Sequence, residues 1–412
     1  MRPPGMRYIS TRGMAPRVDF EGALFSGYAP DGGLFMPEEL PQLSTETLRQ
    51  WSTLSYPGLV KELCTLFIGP ELIPRDVLNG LIDQAFSRFR HREVVRLSRL
   101  RNGLNVLELW HGITYAFKDL SLCCTAQFLQ YFLEKKEKHV TVVVGTSGDT
   151  GSAAIESVQG AKNMDIIVLL PKGHCTKIQE LQMTTVLREN VHVFGAGCIA
   201  QKMGLPIRLV VAVNRNDIIH RTVQQGDFSL SEAVEQTLAS AMDIQVPYNM
   251  ERIFWLLSGS NSQVTRALME QFERTQSVSL PKELHSKLSG AVTSESVSDE
   301  AITQTMARCW EENKYLLCPH SAVAVSYHYQ QTEQQPPSLP RCCLAPASAA
   351  KFPEAVLAAG LTPETPAEIL ALESKGTRCT PMRKGDDWTL MLRNTIEDIS
   401  CQQRGHFLNA LE

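Results

Sequence analysis

The segment His111-Gly112-Ile113-Thr114-Tyr115-Ala116-Phe117-Lys118-Asp119 places a lysine between a predicted strand and a helix predicted to begin near Asp119. A lysine at such a junction is held by rigid elements and directed into the cleft they enclose. In an apolar or cationic setting its pKa falls, and the neutral amine becomes a nucleophile able to condense with a carbonyl. Phe117 beside it offers a flat apolar face. A second segment, Gly145-Thr146-Ser147-Gly148-Asp149-Thr150-Gly151-Ser152, follows a strand-like run and opens a helix. Backbone N–H groups at the positive end of a helix dipole can hold an anion there, and Gly148 and Gly151 permit close approach. Alone, each segment has an ordinary reading. Lysines at helix starts are mostly structural, and many strand-to-helix turns are rich in glycine.

The elements that must position these residues form an alternating series. Leu104–Leu109 alternates and reads as a strand. Val140–Val144 is apolar and mostly β-branched, as in a strand buried on both faces. A helix from about Ser152, a strand Ile166–Leu170, a helix Ile178–Arg188, a strand Val191–Phe194, a helix Ile199–Met203 and a strand Ile207–Val213 follow. This rhythm predicts a parallel α/β architecture with helices on the faces. Ahead of it, Tyr8–Gly13 reads as a strand and turn, Ala29–Gly33 as a turn, and Ser44 to about Arg92 as helices punctuated by Pro57, Pro70 and Pro74. Beyond Phe228 the pattern is mainly helical. Residues 329–341 are polar and proline-rich and predict an exposed loop. Ala347–Gly360 reads as helix, and the C-terminal segment as a strand around Trp388–Leu392 with a short helix. The expected organisation is an N-terminal module over residues 1–100, an α/β domain with the lysine and the glycine-rich loop over 101–195, and a second α/β domain with the C-terminal segment over 196–412.

Composition narrows the function classes. The chain has 412 residues, 43% hydrophobic and 20% charged, with a formal net charge of -4, which fits a globular protein without a broad basic surface. No nucleic-acid or membrane partner is expected. The mixed-sign run Glu134–His139 reads as a solvated helix end. The 11 cysteines include the vicinal pairs Cys123-Cys124 and Cys342-Cys343 and no C-x-x-C, so neither a disulfide framework nor a metal site is expected. A cytoplasmic location is the expectation, with no signal-peptide core and no apolar stretch of membrane-spanning length.

In their order along the chain, these segments resemble the threonine synthases. HGITYAFKD is similar to that family's H-G-x-T-x-x-F-K-D, and Thr146–Gly151 to its T-S-G-D-T-G loop. Tyr8–Gly13, Ala29–Leu34, Asn214–Asp217, Met242–Ile244, Cys318–Ala324 and Lys351–Glu354 resemble further family segments, most like the threonine synthase-like branch. The resemblance implies a fold-type II, tryptophan synthase β-like α/β enzyme that uses pyridoxal 5'-phosphate. It implies Lys118 as the Schiff-base lysine and the base for the substrate α-proton, with Phe117 and His111 near the cofactor ring. It places Thr146, Ser147, Gly148, Thr150 and Gly151 at the substrate, and Asp149 near the cofactor's phenolic oxygen, where related cysteine synthases use asparagine.

Two departures accompany the likeness. The family's S/T-G-x-x-G-N loop, which cradles the cofactor phosphate, does not occur between Asp149 and Asp217. Val191–Gly195 runs directly into Ala196–Lys202, which reads as an internal deletion. Pro346 occupies the position of a hydroxyl residue near the ring nitrogen, with Ser348 as its stand-in. The implied activity is a phospho-lyase that converts O-phosphohomoserine or O-phosphothreonine into 2-oxobutyrate, ammonia and phosphate. Threonine synthase is the second reading. A catalytically impaired product of the deletion, acting as a non-enzymatic binding or signalling protein, is the reading from another class. The expected partner is a small phosphorylated amino acid, and the assemblies left open include a homodimer.

Overall fold

Asp31 shapes the start of the chain. Its carboxylate accepts hydrogen bonds from Ser10 Oγ (2.7 Å) and from the N–H groups of Met14 (2.8 Å) and Gly33 (3.1 Å). These bonds fold the turn that lets β1 (Tyr8–Ser10) pair antiparallel with β2 (Phe35–Pro37). The structure, a computed structural model, describes residues 5–146, 148–170, 175–186, 208–334, 340–380, 382 and 385–409.

Four helices then build the N-terminal module: α1 (Phe20–Leu24), α2 (Thr45–Trp51), α3 (Tyr56–Phe67) and α4 (Arg75–Phe86). Asp19, Ser44 and Ser55 cap the first three through their side chains. The antiparallel pair β3 (Arg96–Arg99) and β4 (Leu104–Glu108) leads to α5 (Lys118–Lys136). After it come β5 (Val140–Gly145), α6 (Asp149–Val158), β6 (Met164–Leu169) and α7 (Lys177–Thr184). The later strands are β7 (Leu209–Val213), β8 (Asp227–Ser229), β9 (Ser277–Ser279), β10 (Val292–Ser296) and β11 (Arg341–Ala345). The pairs β5–β6, β7–β10 and β4–β11 are all parallel, as the alternating rhythm predicts.

Three main cores result. Ile73, Leu78 and Ile82 of the N-terminal module pack with Phe128 and Phe132 of α5. Leu104 and Val106 of β4 pack with Cys343 and Ala345 of β11 and with the helices Asp299–Asn313 and Pro319–Gln334. Phe228, Phe254 and Phe272 centre the third.

Several elements differ from expectation. Val140–Val144 is not buried on both faces: Val144 is 1% exposed but Val143 is 43% exposed. Val142 and Val144 point to α5 and α6 and share a core with Leu122, Ala153 and Ala154. Val143 takes the opposite side of the pleat. Residues 329–334 continue the helix Pro319–Gln334 rather than forming a loop, because Tyr329 is buried under the Arg308 guanidinium, 4.0 Å from its ring centroid. Trp388–Leu392 is not a strand but the start of a helix, Trp388–Asn409, where Asp387 Oδ1 accepts from Leu390 N–H (2.9 Å). The predicted helix over Ala347–Gly360 is split by Pro353 into a 3-10 turn (Ala349–Lys351) and a short helix (Pro353–Ala358). The predicted strand Val191–Phe194 and helix Ile199–Met203 lie outside the described residues. Among the described residues, no helix is long and apolar enough to cross a membrane, and no group of three or more His, Cys, Asp or Glu could hold a metal ion.

Candidate active site

The loop from β4 to α5 is fastened by the helix it leads into. Asp119, in the first turn of α5, accepts from Thr114 N–H (2.9 Å) and Thr114 Oγ1 (2.8 Å). Gly112 lies so close that a Cβ there would stand 2.2 Å from Asp119 Oδ2. Burial pushes the Asp119 carboxyl up to about 6, despite those hydrogen bonds and the nearby Lys351 charge. On the other side, Phe117 N–H donates to Pro346 O (2.6 Å) and Ser348 N–H donates to Tyr115 O (3.0 Å), with Ala116 bridged to Ala347. The segment before α5 therefore lies antiparallel against the chain that follows β11.

Lys118 is the first residue of α5 and is half-buried. Its Nζ sits 4.4 Å from the Phe117 ring centroid and makes no hydrogen bond or ion pair among the described residues. Burial pushes its pKa below the ordinary lysine range, against the opposing pull of Asp149.

The glycine-rich loop is closed by its own threonine. Thr146 Oγ1 accepts from Gly148 N–H (3.0 Å) and Gly151 N–H (2.9 Å), so both donors are engaged within the loop. Gly148 has φ +146°, and a Cβ there would meet the Gln179 amide at 2.7 Å. A Cβ on Gly151 would meet Met183 Sδ at 2.4 Å. Thr150 is half-buried in the first turn of α6, and Ser147 lies outside the described residues.

Asp149 begins α6 and is buried. Its Oδ1 accepts from Gln179 Nε2 (2.8 Å) and pairs with Lys351 Nζ (2.7 Å). Burial alone would raise its pKa, but Lys351 and Gln179 hold it below the usual carboxylate range. Lys351 is fully buried and also donates to Thr114 O (2.8 Å). One ion pair thus ties the lysine loop, the glycine loop and the segment after β11 together.

His111 and Ser348 take other positions. His111 Nε2 bonds Glu108 Oε2 (2.7 Å), and its ring lies between His91 (4.7 Å) and Trp110 (4.4 Å). The buried Glu108 also accepts from Ser98 Oγ (2.5 Å) and Tyr315 OH (2.9 Å). Ser348 Oγ accepts from Ala350 N–H (3.3 Å) and lines a cavity of about 130 Å³ with Trp110, Tyr315, Cys318 and Ser321. Lys118 and Asp149 do not line that cavity.

Sequence reasoning missed Gln179, Lys351 and His320. Gln179 carries a local signal, the Thr176-x-x-Gln179 capping box. Lys351 was visible only as part of a similar segment. His320 reads as an ordinary core histidine, yet its Nδ1 is buried and without a partner among the described residues. Its Nε2 accepts from Ala241 N–H (3.0 Å), which fixes the neutral Nδ1–H tautomer. Burial pushes its pKa down to about 4, with Asp149 and Lys351 close enough to act on it.

Parallel α/β layers with a lysine at one strand-to-helix junction and a glycine loop at the next define a fold-type II pyridoxal-phosphate enzyme architecture. Comparisons agree. Residues 7–86 match the family described as Threonine synthase N terminus, and residues 321–391 that described as Threonine synthase, C-terminal. Threonine synthase-like 2 from Homo sapiens is 73% identical, covering 98% of this chain and 99% of that protein. The crystal structure of threonine synthase from yeast superposes with a TM-score of 0.87 at 29% identity, covering 96% of this chain and 99% of the other. The pyridoxal phosphate-bound threonine synthase from Brucella melitensis gives 0.84 at 30% identity, over 92% and 96%. The chain belongs to the threonine synthase family. The alignment with the human protein runs over 481 positions against the 412 residues here, so that relative carries several tens of residues with no counterpart in this chain.

Proposed function

We propose that this protein is a pyridoxal-phosphate-dependent phospho-lyase acting on O-phosphohomoserine or O-phosphothreonine. The observation that carries the reading is the Lys118 amine, half-buried against Phe117, without a hydrogen-bonding or ionic partner among the described residues and with a lowered pKa. An amine with a lowered pKa and no ionic partner among the described residues suits an aldehyde cofactor, so this residue fits pyridoxal phosphate at its reactive end. Lys118 would hold it, with Phe117 alongside.

When bound, the cofactor supplies an aldehyde for the substrate amine and a ring that spreads the negative charge left at the α-carbon. Lys118 Nζ would accept the substrate α-proton. Thr150 and the loop Thr146–Gly151 orient the substrate carboxylate. Phosphate would leave the β-carbon of O-phosphothreonine directly. From O-phosphohomoserine it would leave the γ-carbon only after a second proton is taken from the β-carbon, with one proton returned at the γ-carbon. In both cases the enamine tautomerises and takes up water to give 2-oxobutyrate and ammonia. Elimination needs no residue that holds the intermediate while water adds to one carbon. Pro346 favours this simpler outcome, because its side chain offers neither donor nor acceptor where the resemblance places a hydroxyl.

The test is to titrate the purified protein with pyridoxal phosphate and follow visible absorbance, then assay phosphate and 2-oxobutyrate from each substrate. A saturable band and both products, absent in Lys118→Ala, are expected. Threonine in place of 2-oxobutyrate would overturn the elimination reading. A folded protein with neither band nor phosphate release would overturn the enzyme reading.

A further inference from the structure

Tyr115 has a backbone φ of +58°, in the left-handed region. There the Cβ crowds the neighbouring carbonyl, which disfavours a bulky residue by roughly tenfold. Other described residues with positive φ have ordinary reasons for it. Glu137, Gln276 and Lys314 close helices, and Asn102 and Asn163 are of a type that tolerates the conformation. Tyr115 has neither reason, and it stands three residues before Lys118.

The chain is anchored on both sides of this residue. Thr114 is bonded to Asp119 through its N–H (2.9 Å) and its hydroxyl (2.8 Å), and Phe117 N–H donates to Pro346 O (2.6 Å). Between the anchors the chain turns at Tyr115, and Ala116 O accepts from Asp119 N–H (3.2 Å) as α5 begins. The turn therefore sets the direction in which Lys118, the first residue of α5, leaves the loop toward the Phe117 ring.

Three other segments hold Tyr115 in place. Its hydroxyl donates to Glu368 Oε1 (2.5 Å), in the short helix Ala367–Leu370. Arg90 places its guanidinium 4.6 Å from the ring centroid, pairs with Glu368, and donates its backbone N–H to His111 O (3.0 Å). Ser348 N–H donates to Tyr115 O (3.0 Å), and the ring is buried with Ala350 and Ile369.

We propose that Tyr115, clasped by Glu368 and Arg90, is a positioning residue for Lys118: the clasp holds a strained turn that aims the lysine. A bulky residue keeps a disfavoured conformation only where its surroundings impose it, and such strain collects at functional sites. The proposal rests on the reading of Lys118 as the lysine that takes the cofactor aldehyde.

The experiment incubates the full chain with pyridoxal phosphate and fixes the occupied lysines with borohydride. Peptide mass spectrometry then gives the mark at Lys118, with the exposed Lys282 as internal reference. In the unaltered protein Lys118 carries the mark well above Lys282. Tyr115→Ala and Tyr115→Gly both empty the place of the ring, but only glycine takes φ +58° without strain. Tyr115→Ala is expected to lower the Lys118 mark about tenfold, and Tyr115→Gly no more than about threefold. A role limited to filling the core would make glycine at least as damaging as alanine. Glu368→Ala alters an exposed side chain and tests the clasp where a Tyr115 variant does not fold. It is expected to lower the mark about fivefold beside Tyr115, and to add no loss in Tyr115→Gly. Equal losses in Tyr115→Ala and Tyr115→Gly, an unchanged mark in Glu368→Ala, or the same loss from Glu368→Ala in both backgrounds overturns the proposal. A Lys118 marked no more than Lys282 in the unaltered protein would instead refute the reading of Lys118 as the cofactor lysine.

Discussion

The neighbourhood of Lys118 and the outer face of β5 represent two ways of being ordered. Around Lys118, three segments far apart in sequence are cross-tied by buried hydrogen bonds and one ion pair, through Thr114, Asp119, Asp149, Gln179 and Lys351. At β5, one face is sealed against α5 and α6 while Val143 remains 43% exposed on the other. Val210 on β7 is 41% exposed in the same way. The difference shows that polar ties can define a site even where, among the described residues, the parallel strands fall into separate small sheets, because each tie needs only its own partners. Burial of an apolar strand on both faces needs a further layer.

The sharpest way to test the first region is Lys118→Ala. It is expected to reduce phosphate release by at least about a thousandfold, as loss of a general base and covalent anchor does. A smaller loss in steady-state assays would move the chemistry elsewhere. Gly148→Ala comes next. It forces a side chain into φ +146° and against Gln179, which is already bonded to Asp149, at an expected cost of about 3 kcal/mol in urea unfolding.

The pH dependence of stability probes the same cluster through two opposing groups. His320 is held at about 4 in the folded protein against an ordinary 6.5, so the unfolded chain binds its proton more readily and stability rises with pH between those values. Asp119 is held at about 6 against an ordinary 3.8, so the folded protein keeps its proton longer and stability falls as pH rises through that window. Each contribution is on the order of 3 kcal/mol, and they offset. His320→Asn is therefore expected to expose a fall in stability from about pH 4 to about pH 6, measured by chemical denaturation. An unaltered slope would detach His320 from the cluster.

The smallest effects compare the two faces of β5. Val144→Ala, which empties a fully buried site, should cost about 2 kcal/mol, whereas Val143→Ala should stay within about 0.5 kcal/mol. Equal costs would mean that the outer face is covered in solution.

Much of the scaffold was legible because the signals are local. The alternation of β4, the β-branched run of β5 and the helix start at Ser44 depend on neighbours within a few residues. The element at Trp388 was misread for a related reason: a short apolar alternation resembles a strand until the Asp387 cap and the helical stretch beyond it are considered. Lys118 was legible only because a long ordered motif surrounds it. Gln179 and Lys351 escaped because nothing within their own segments indicates that both converge on one oxygen of Asp149.

The sequence by itself determined the family, the parallel α/β alternation and the placement of Lys118 at a strand-to-helix junction, because each is encoded in residue order and short-range geometry. Only the tertiary structure decided the electrostatic state of that lysine. Its burial and the opposing pull of Asp149 arise from segments that meet only after the chain has folded, and a pKa follows distances in space rather than separation along the chain.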